Sequence, residues 1–147
     1  MKTKLIKEYK YSGLGVDIIL KEVLLVKVGK EWTPKIDVEK LSSKVFSLLT
    51  FKTSPFTGNE IAFIRAYLEM NKSEFGRELH VSHTAVTKWE NSEKKASTMD
   101  IGTELLLKMV MAEKEGASSS KYQEIYKKTK AQNTTGKNEL IVVENAA

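Results

Sequence analysis

Apolar residues recur at helical spacing in the middle of the chain, and capping residues mark where helices begin. Thr57 and Glu60 form a capping box, in which each side chain bonds a backbone amide of the other. Phe56 and Ile61 stand at the two positions of a hydrophobic staple around that box. This pattern predicts a helix over 58–70.

Three further helix starts follow, at Asn71, Ser82 and the stretch 97–100. The first of these is a second capping box, because Glu74 stands three residues after Asn71. The predicted helices run over 72–79, over 83–91 and up to Lys114. In the last of them the apolar positions are Ile101, Leu105, Leu106, Met109 and Val110.

The pattern before residue 52 is different, because stretch 16–36 is rich in Val, Ile and Leu and partly alternates with polar residues. It predicts two or three short antiparallel strands, with turns at 21–22 and 29–30. Asp37 then caps a predicted helix that reaches about Thr50. The apolar stripe of that helix is Val38, Leu41, Val45, Leu48 and Leu49.

The helical spacing of apolar residues ends after Gly116. Residues 121–138 are polar and basic without a strong period, and only a brief apolar run follows at 140–143. We therefore predict a flexible tail over 115–147 that is largely disordered or loosely helical, although the apolar run could instead add a strand to a partner's sheet.

The predicted fold class is α+β, mostly α, in three parts. A small β-strand and helix domain over 1–52 serves as a dimer or partner module. A lambda-repressor-like helical domain follows over 53–114, and the tail completes the chain.

Composition bears on the partner, the metal sites and the cellular compartment of the protein. The net charge is +5, and residues 1–52 hold 11 Lys/Arg against 6 Asp/Glu, which suits a polyanionic partner without identifying one. The chain has no cysteine, so disulfides and cysteine-based zinc sites are excluded. We find no apolar run long enough to span a membrane and no signal peptide, and we expect a cytoplasmic protein.

The two helices predicted over 72–79 and 83–91 meet the packing needs of a helix-turn-helix. The first requires apolar residues one turn apart and a small residue at the crossing, and the second requires inward residues three apart. These positions are Phe75, Gly76, Leu79, Val86 and Trp89. The turn residue, commonly Gly because it is left-handed, is His80, one of the residue types enriched in that conformation.

The stretch 71–91, NKSEFGRELHVSHTAVTKWEN, resembles the helix-turn-helix of the Cro/lambda-repressor-like (XRE) family. Arg65 and Glu90 stand where that family has its structural Arg–Glu pair. Over residues 9–112 the chain also resembles the MqsA/YgiT-type antitoxins and their regulator relatives. Many of those relatives carry four zinc-binding cysteines, which this chain lacks, so no zinc site is carried over.

The resemblance implies that the helix predicted over 83–91 enters the major groove of DNA with its first residues toward the base edges. The candidate base contacts are His83, Thr84, Thr87 and Lys88. The candidate phosphate contacts are Lys72, Ser82, Asn91 and Lys94.

The function that these residues favour is a sequence-specific double-stranded DNA-binding repressor, acting as a homodimer on a palindromic operator. The alternative is a type II antitoxin that also neutralises a small toxin protein and regulates its own operon. The helix ending at Lys114 is the preferred dimer contact, and the N-terminal strands are the alternative. We see no catalytic arrangement and no cofactor motif. His80 and His83 do not indicate a metal site, because no cysteine is nearby and a turn lies between them.

Overall fold

The computed structural model of the protein describes residues 2–132 and 137–144. These residues form six helices and a mixed four-stranded sheet, which confirms the α+β class. The chain divides into two compact units. One holds the residues up to 45 together with the stretch from 140, and the other is Phe46–Glu139. These bounds differ from those predicted, at 52 and 114.

The first unit is built around one long central strand. Antiparallel strands lie on both sides of it, and the C-terminal strand pairs with it in parallel. The strands are β1 (Thr3–Tyr11), β2 (Ile18–Val28), β3 (Glu31–Pro34) and β4 (Ile141–Glu144). Helix α1 (Val38–Leu49) begins in this unit, and the backbone N–H of Lys40 donates to Asp37 Oδ1 at 3.2 Å, as expected of a cap.

Strand β2 passes through the place where we expected a turn, so the predicted turn at 21–22 is wrong. Glu22 has a positive φ of 54°, but the pairing with β1 continues in one register on both sides of it. The left-handed residue changes the phase of the side-chain alternation instead of reversing the chain. The buried positions change there from even to odd: Ile18, Leu20, Val23 and Leu25. The turn at 29–30 is confirmed, with Gly29 at φ 62°.

One face of the sheet keeps apolar side chains in contact with solvent. Leu5 is 64% exposed, Val28 62% and Val142 41%. Leu5 lies opposite Leu24, and Val142 lies opposite Ile19, so these residues alternate with the buried ones. We call Leu5, Val28 and Val142 the outer sheet face.

The second unit contains five helices after the end of α1. They are α2 (Gly58–Tyr67), α3 (Lys72–Glu78), α4 (His83–Glu90), α5 (Ile101–Lys114) and α6 (Ser119–Lys130). Both predicted capping boxes are present, at Thr57 with Glu60 and at Asn71 with Glu74. Helix α2 ends before the predicted residue 70, because Glu69 adopts a positive φ of 57°.

Residues 119–130 form a helix and 141–144 a strand, so a disordered tail is wrong for both stretches, and the first agrees with the helical alternative. Ser118 caps α6, whose Ile125 and Thr129 are buried against the rest of the unit. Strand β4 pairs with β2 of the same chain, so the apolar run 140–143 adds a strand to the chain's own sheet and not to a partner's sheet. The sequence shows only weak helical periodicity over α6, because this helix buries only two side chains. The remaining parts of the predicted tail, 133–136 and 145–147, lie outside the described residues.

Helix α5 buries a stripe that includes none of the apolar positions named from the sequence. Its buried residues include two charged side chains, and they recur at helical spacing: Glu104, Leu107, Lys108, Met111 and Ala112. Ile101 and Leu106, two of the apolar positions named from the sequence, are exposed. The core stripe was not identified from the sequence because an acid and a lysine that bond within the unit interrupt it. In the described part of the chain, each helix is too short or too polar to cross a bilayer.

Candidate nucleic-acid interface

The turn between α3 and α4 has the left-handed residue that a helix-turn-helix needs. His80 has a φ of 59°. The N–H of the next residue, Val81, donates back to the carbonyl oxygen of Gly76 at 2.8 Å. A Cβ built on Gly76 would lie 2.6 Å from the carbonyl oxygen of Val81, closer than real Cβ atoms approach. The turn can therefore close this tightly only because position 76 has no side chain.

A buried apolar layer lies beneath α4. Phe75 and Leu79 from α3 and Val86 and Trp89 from α4 are all at most 6% exposed. They are four of the residues predicted to hold the motif together, and Gly76 is the fifth. Their burial fixes the rotation of α4, and its opposite side is left at the surface.

The four candidate base-contacting residues lie at that surface. His83, Thr84 and Lys88 are exposed, and Thr87 is half-buried. The Thr87 hydroxyl donates to the backbone carbonyl of His83 at 3.2 Å, so its proton is already used within the helix. Thr87 would therefore contribute an acceptor and a methyl group, whereas Thr84 keeps a hydroxyl that can donate or accept.

The candidate phosphate-contacting residues border α3 and α4. Ser82 is the N-cap of α4, and its Oγ accepts from the N–H of Ala85 at 3.2 Å, which leaves its own hydroxyl proton to donate. Asn91 is the C-cap of α4 and is exposed, as is Lys94. Lys72 is half-buried at the start of α3. These positions flank the candidate base contacts on both sides in sequence.

The predicted structural pair is formed. Arg65 Nε donates to Glu90 Oε2 at 2.7 Å and its Nη2 donates to Glu90 Oε1 at 3.0 Å, a two-pronged contact. Its Nη1 donates to the Met70 carbonyl at 3.1 Å. The hydrogen bonds to Glu90 raise the pKa of Arg65 above its usual value, although burial lowers it. The pair ties α2 to the last residue of α4.

We expect Arg65→Lys to lower the free energy of unfolding by about 1–3 kcal/mol, although it keeps the charge. A lysine ammonium cannot reproduce two parallel N–H···O bonds to Glu90 and a third to Met70. The measurement is urea unfolding of Arg65→Lys, Glu90→Gln and the double variant. A coupling energy near zero in that cycle would show that the pair contributes nothing.

Sequence reasoning missed a buried polar cluster beside α2. Lys52, Glu60, Glu104 and Lys108 are all at most 3% exposed. Lys52 Nζ forms an ion pair with Glu60 and donates to the Pro55 carbonyl at 2.9 Å. Glu60 is also the acid of the first capping box. The one feature of the sequence that pointed to this cluster was that Lys52 lies before, and Glu60 just after, the start of a helix with a capping box.

The other half of the cluster connects α5 to its surroundings. Lys108 Nζ donates to the Lys52 carbonyl at 3.0 Å and to Thr129 Oγ1 at 3.1 Å. Glu104 accepts from the N–H of Phe56 at 2.7 Å, and it also accepts from the Gln132 amide. The cluster thus joins α5, α6 and the segment that precedes α2 through hydrogen bonds that satisfy its buried charges.

Burial lowers the pKa of Lys108 below its usual value of 10.5, and the nearby carboxylate of Glu104 only partly opposes this. The folded chain therefore binds fewer protons than the unfolded chain between the lowered pKa and 10.5. We expect the free energy of unfolding to rise with pH across that window, by at most about 1.4 kcal/mol per pH unit from this group.

The matching measurement compares urea unfolding of the natural chain and Lys108→Met from neutral pH to about pH 10. The Lys108 contribution should be missing from the variant, so the difference between the two proteins should change with pH. A difference that stays constant would contradict the assignment.

Comparison with known proteins adds no relative. A scan against protein-family models, a search of curated proteins and a search of solved structures each find no match. The resemblance to the Cro/lambda-repressor-like family therefore depends on the quoted residues and their arrangement. Within the described ranges, no group of three or more His, Cys, Asp or Glu side chains is placed to hold a metal ion.

Proposed function

We propose that the protein is a sequence-specific double-stranded DNA-binding regulator, a repressor, that acts as a homodimer on a palindromic operator. The observation that carries the proposal is the exposed polar side of α4 above a buried floor. His83, Thr84 and Lys88 are exposed, whereas Val86 and Trp89 on the same short helix are buried. A helix held in this way can lie in a major groove with its first residues at base edges.

A second supporting observation is that the side chains at the start of α4 suit the edges of bases. A threonine hydroxyl can donate or accept, its methyl group can pack on the methyl of thymine, and lysine can donate to guanine. Each good pairing discriminates between bases by roughly 1–3 kcal/mol. One helix of eight residues contacts few base pairs, so a monomer would bind with little selectivity.

A homodimer supplies the missing selectivity, because two-fold symmetry places two such helices in successive major grooves. Two surfaces carry exposed apolar side chains suited to the dimer contact. One is on α5, at Ile101 and Leu106, and the other is the outer sheet face. The α5 surface is our first choice, since it lies in the same unit as α4 and would fix the separation of the two α4 helices.

Lys72→Ala should weaken binding to operator and random duplexes about equally, because a phosphate contact positions the protein without selecting a sequence. The loss of one such contact should reduce the slope of log affinity against log salt by about one. Fluorescence anisotropy of the full chain over a salt series measures this. An unchanged slope would remove Lys72 from the interface.

The second candidate function is that of a type II antitoxin. The outer sheet face favours it, because apolar side chains that remain exposed on a sheet are suited to a protein partner. The test is co-purification with the product of a short open reading frame adjacent to the gene. Complex formation that is lost when Leu5 and Val28 are changed to lysine would support this function.

A further inference from the structure

A surface pocket in the second unit collects lysines from two distant parts of the chain. It has a volume of about 350 Å³, and Lys94, Lys95 and Lys137 line it together with Ser54 and Asn138. None of the residues that line it is acidic. Its volume falls at the lower end of the range for small-ligand sites, which is ample for a phosphate group.

One wall of the pocket is fixed to the start of α2. The Ser92-to-Ala96 turn follows α4, and the backbone of Ala96 pairs with that of Thr57. The N–H of Gly58 donates to the carbonyl of Lys95 at 3.3 Å, and the N–H of Asn59 donates to the carbonyl of Glu93 at 2.9 Å. The backbone beneath Lys94 and Lys95 is therefore held in place.

The opposite wall is fixed by the C-terminal segment. The N–H of Glu139 donates to Ser54 Oγ at 2.8 Å, and the Glu139 carboxylate accepts from the N–H of Thr53 at 2.7 Å. Asn138 Oδ1 accepts from Lys52 Nζ at 2.6 Å. Lys137 is thus anchored beside the other two lysines, and the Glu139 carboxylate is occupied at Thr53.

Lys95 and Lys137 bring positive charge to one concave surface, and like charges repel one another unless an anion lies between them. Lysine is a compact charge with three donors, which suits a phosphate oxygen. The pocket also continues the candidate DNA interface, since Lys94 lies four residues beyond the end of α4 and Asn91 caps that helix. An anion bound here would contact residues that follow α4, the helix proposed to contact bases, within a few positions in the sequence.

We propose that this pocket binds a phosphate group, with Lys95 and Lys137 as its principal donors. Two sources share this chemistry: a backbone phosphate of DNA and a small phosphorylated molecule. The DNA form of the proposal rests on the proposed function, whereas the small-molecule form does not. In the DNA form, the C-terminal segment extends the interface beyond the helix-turn-helix.

The first arm of the test measures DNA binding by the full chain over a salt series. Lys95→Ala and Lys137→Ala should each lower the salt slope by about 0.9 on operator and random duplexes alike. Between 50 and 200 mM salt, each variant should then lose roughly 3.5-fold less affinity than the natural chain. Lys127→Ala, which removes an exposed lysine from α6 at equal charge cost, is the matched control and should leave the slope unchanged.

The second arm titrates the full chain with inorganic pyrophosphate at low ionic strength and follows backbone amide NMR shifts. Suppose that the DNA slopes do not change. Amide shifts that are confined to residues 94–96 and 138, and that are lost in Lys137→Ala, would then identify a small phosphorylated molecule as the source of the phosphate. A changed DNA slope identifies backbone phosphate. If both lysine variants match Lys127→Ala in both arms, the proposal is wrong.

The two arms separate this proposal from the proposed function. If the natural chain binds no duplex, the repressor function fails, and the pyrophosphate titration alone decides the pocket. If the chain binds duplex and the slopes of the Lys95 and Lys137 variants are unchanged, the repressor function survives without this contact.

Discussion

Gly76→Ala should lower the free energy of unfolding by about 1–3 kcal/mol, although alanine is the better helix former. The added methyl would lie 2.6 Å from the Val81 carbonyl oxygen and 3.3 Å from the backbone of Ser82. Both neighbours are backbone atoms of the tight turn, so neither can move away without shifting α4 relative to α3. The same shift should weaken DNA binding.

Gly102→Ala is the matched control for this substitution. Gly102 lies near the start of α5 and is exposed, and a Cβ there would meet only Asp100 Oδ1 at 3.5 Å, an ordinary contact. This variant should gain about 0.5–1 kcal/mol, because it removes the flexibility of glycine from a helix. Urea unfolding of both variants is the measurement. Equal stabilisation of the two would contradict the close approach at Gly76.

The combined variant His83→Ala, Thr84→Ala should abolish the preference for operator over random duplex. We expect a loss of roughly 1–3 kcal/mol of discrimination for each contact removed. Affinity for random duplex should fall little, since the phosphate contacts at other positions remain. Both side chains are exposed and alanine favours helices, so the fold should be intact by circular dichroism.

A control variant for the base contacts is Thr98→Ala, Gln123→Ala, which removes two exposed polar side chains outside the helix-turn-helix. Competition of labelled operator with unlabelled random duplex measures the preference of each variant. If the His83 and Thr84 variant keeps the preference of the control, these residues do not contact bases in a way that selects sequence.

The sequence predicted the structure correctly where a few neighbouring residues determine the backbone conformation. Capping residues at Thr57 and Asn71 bond amides three positions away, so a short stretch is enough to locate each helix start. His80 was predicted as a left-handed turn residue, and its φ is positive. Arg65 and Glu90 are 25 positions apart, and only the family resemblance suggested their contact, which the structure contains.

Sequence reasoning failed where polar residues enter the core. Glu104 and Lys108 look like surface residues, because burying an isolated charge is costly. Their partners, the Phe56 amide, the Lys52 carbonyl and Thr129, come from distant segments and cannot be identified from local pattern. The apolar pattern alone therefore did not identify the side chains that α5 buries.

The same kind of long-range contact explains the C-terminal segment. Residues 138 and 139 bond to 52–54, which lie about 85 positions earlier in the chain. Strand β4 pairs with β2 across a still longer separation. Low hydrophobicity suggested disorder, since composition predicts whether a segment can form its own core but not whether it can dock on another. The lysine pocket depended on the same docking and was not predictable.

The most direct test of the DNA-binding account is selection of bound sites by the full chain from random duplex DNA at low ionic strength. The account predicts enrichment of a two-fold symmetric sequence whose half-sites are centred about 10–10.5 base pairs, or about 34–36 Å, apart. The His83→Ala, Thr84→Ala variant should enrich no such sequence. Recovery of no enriched sequence by the natural chain would contradict the claim that α4 contacts base edges.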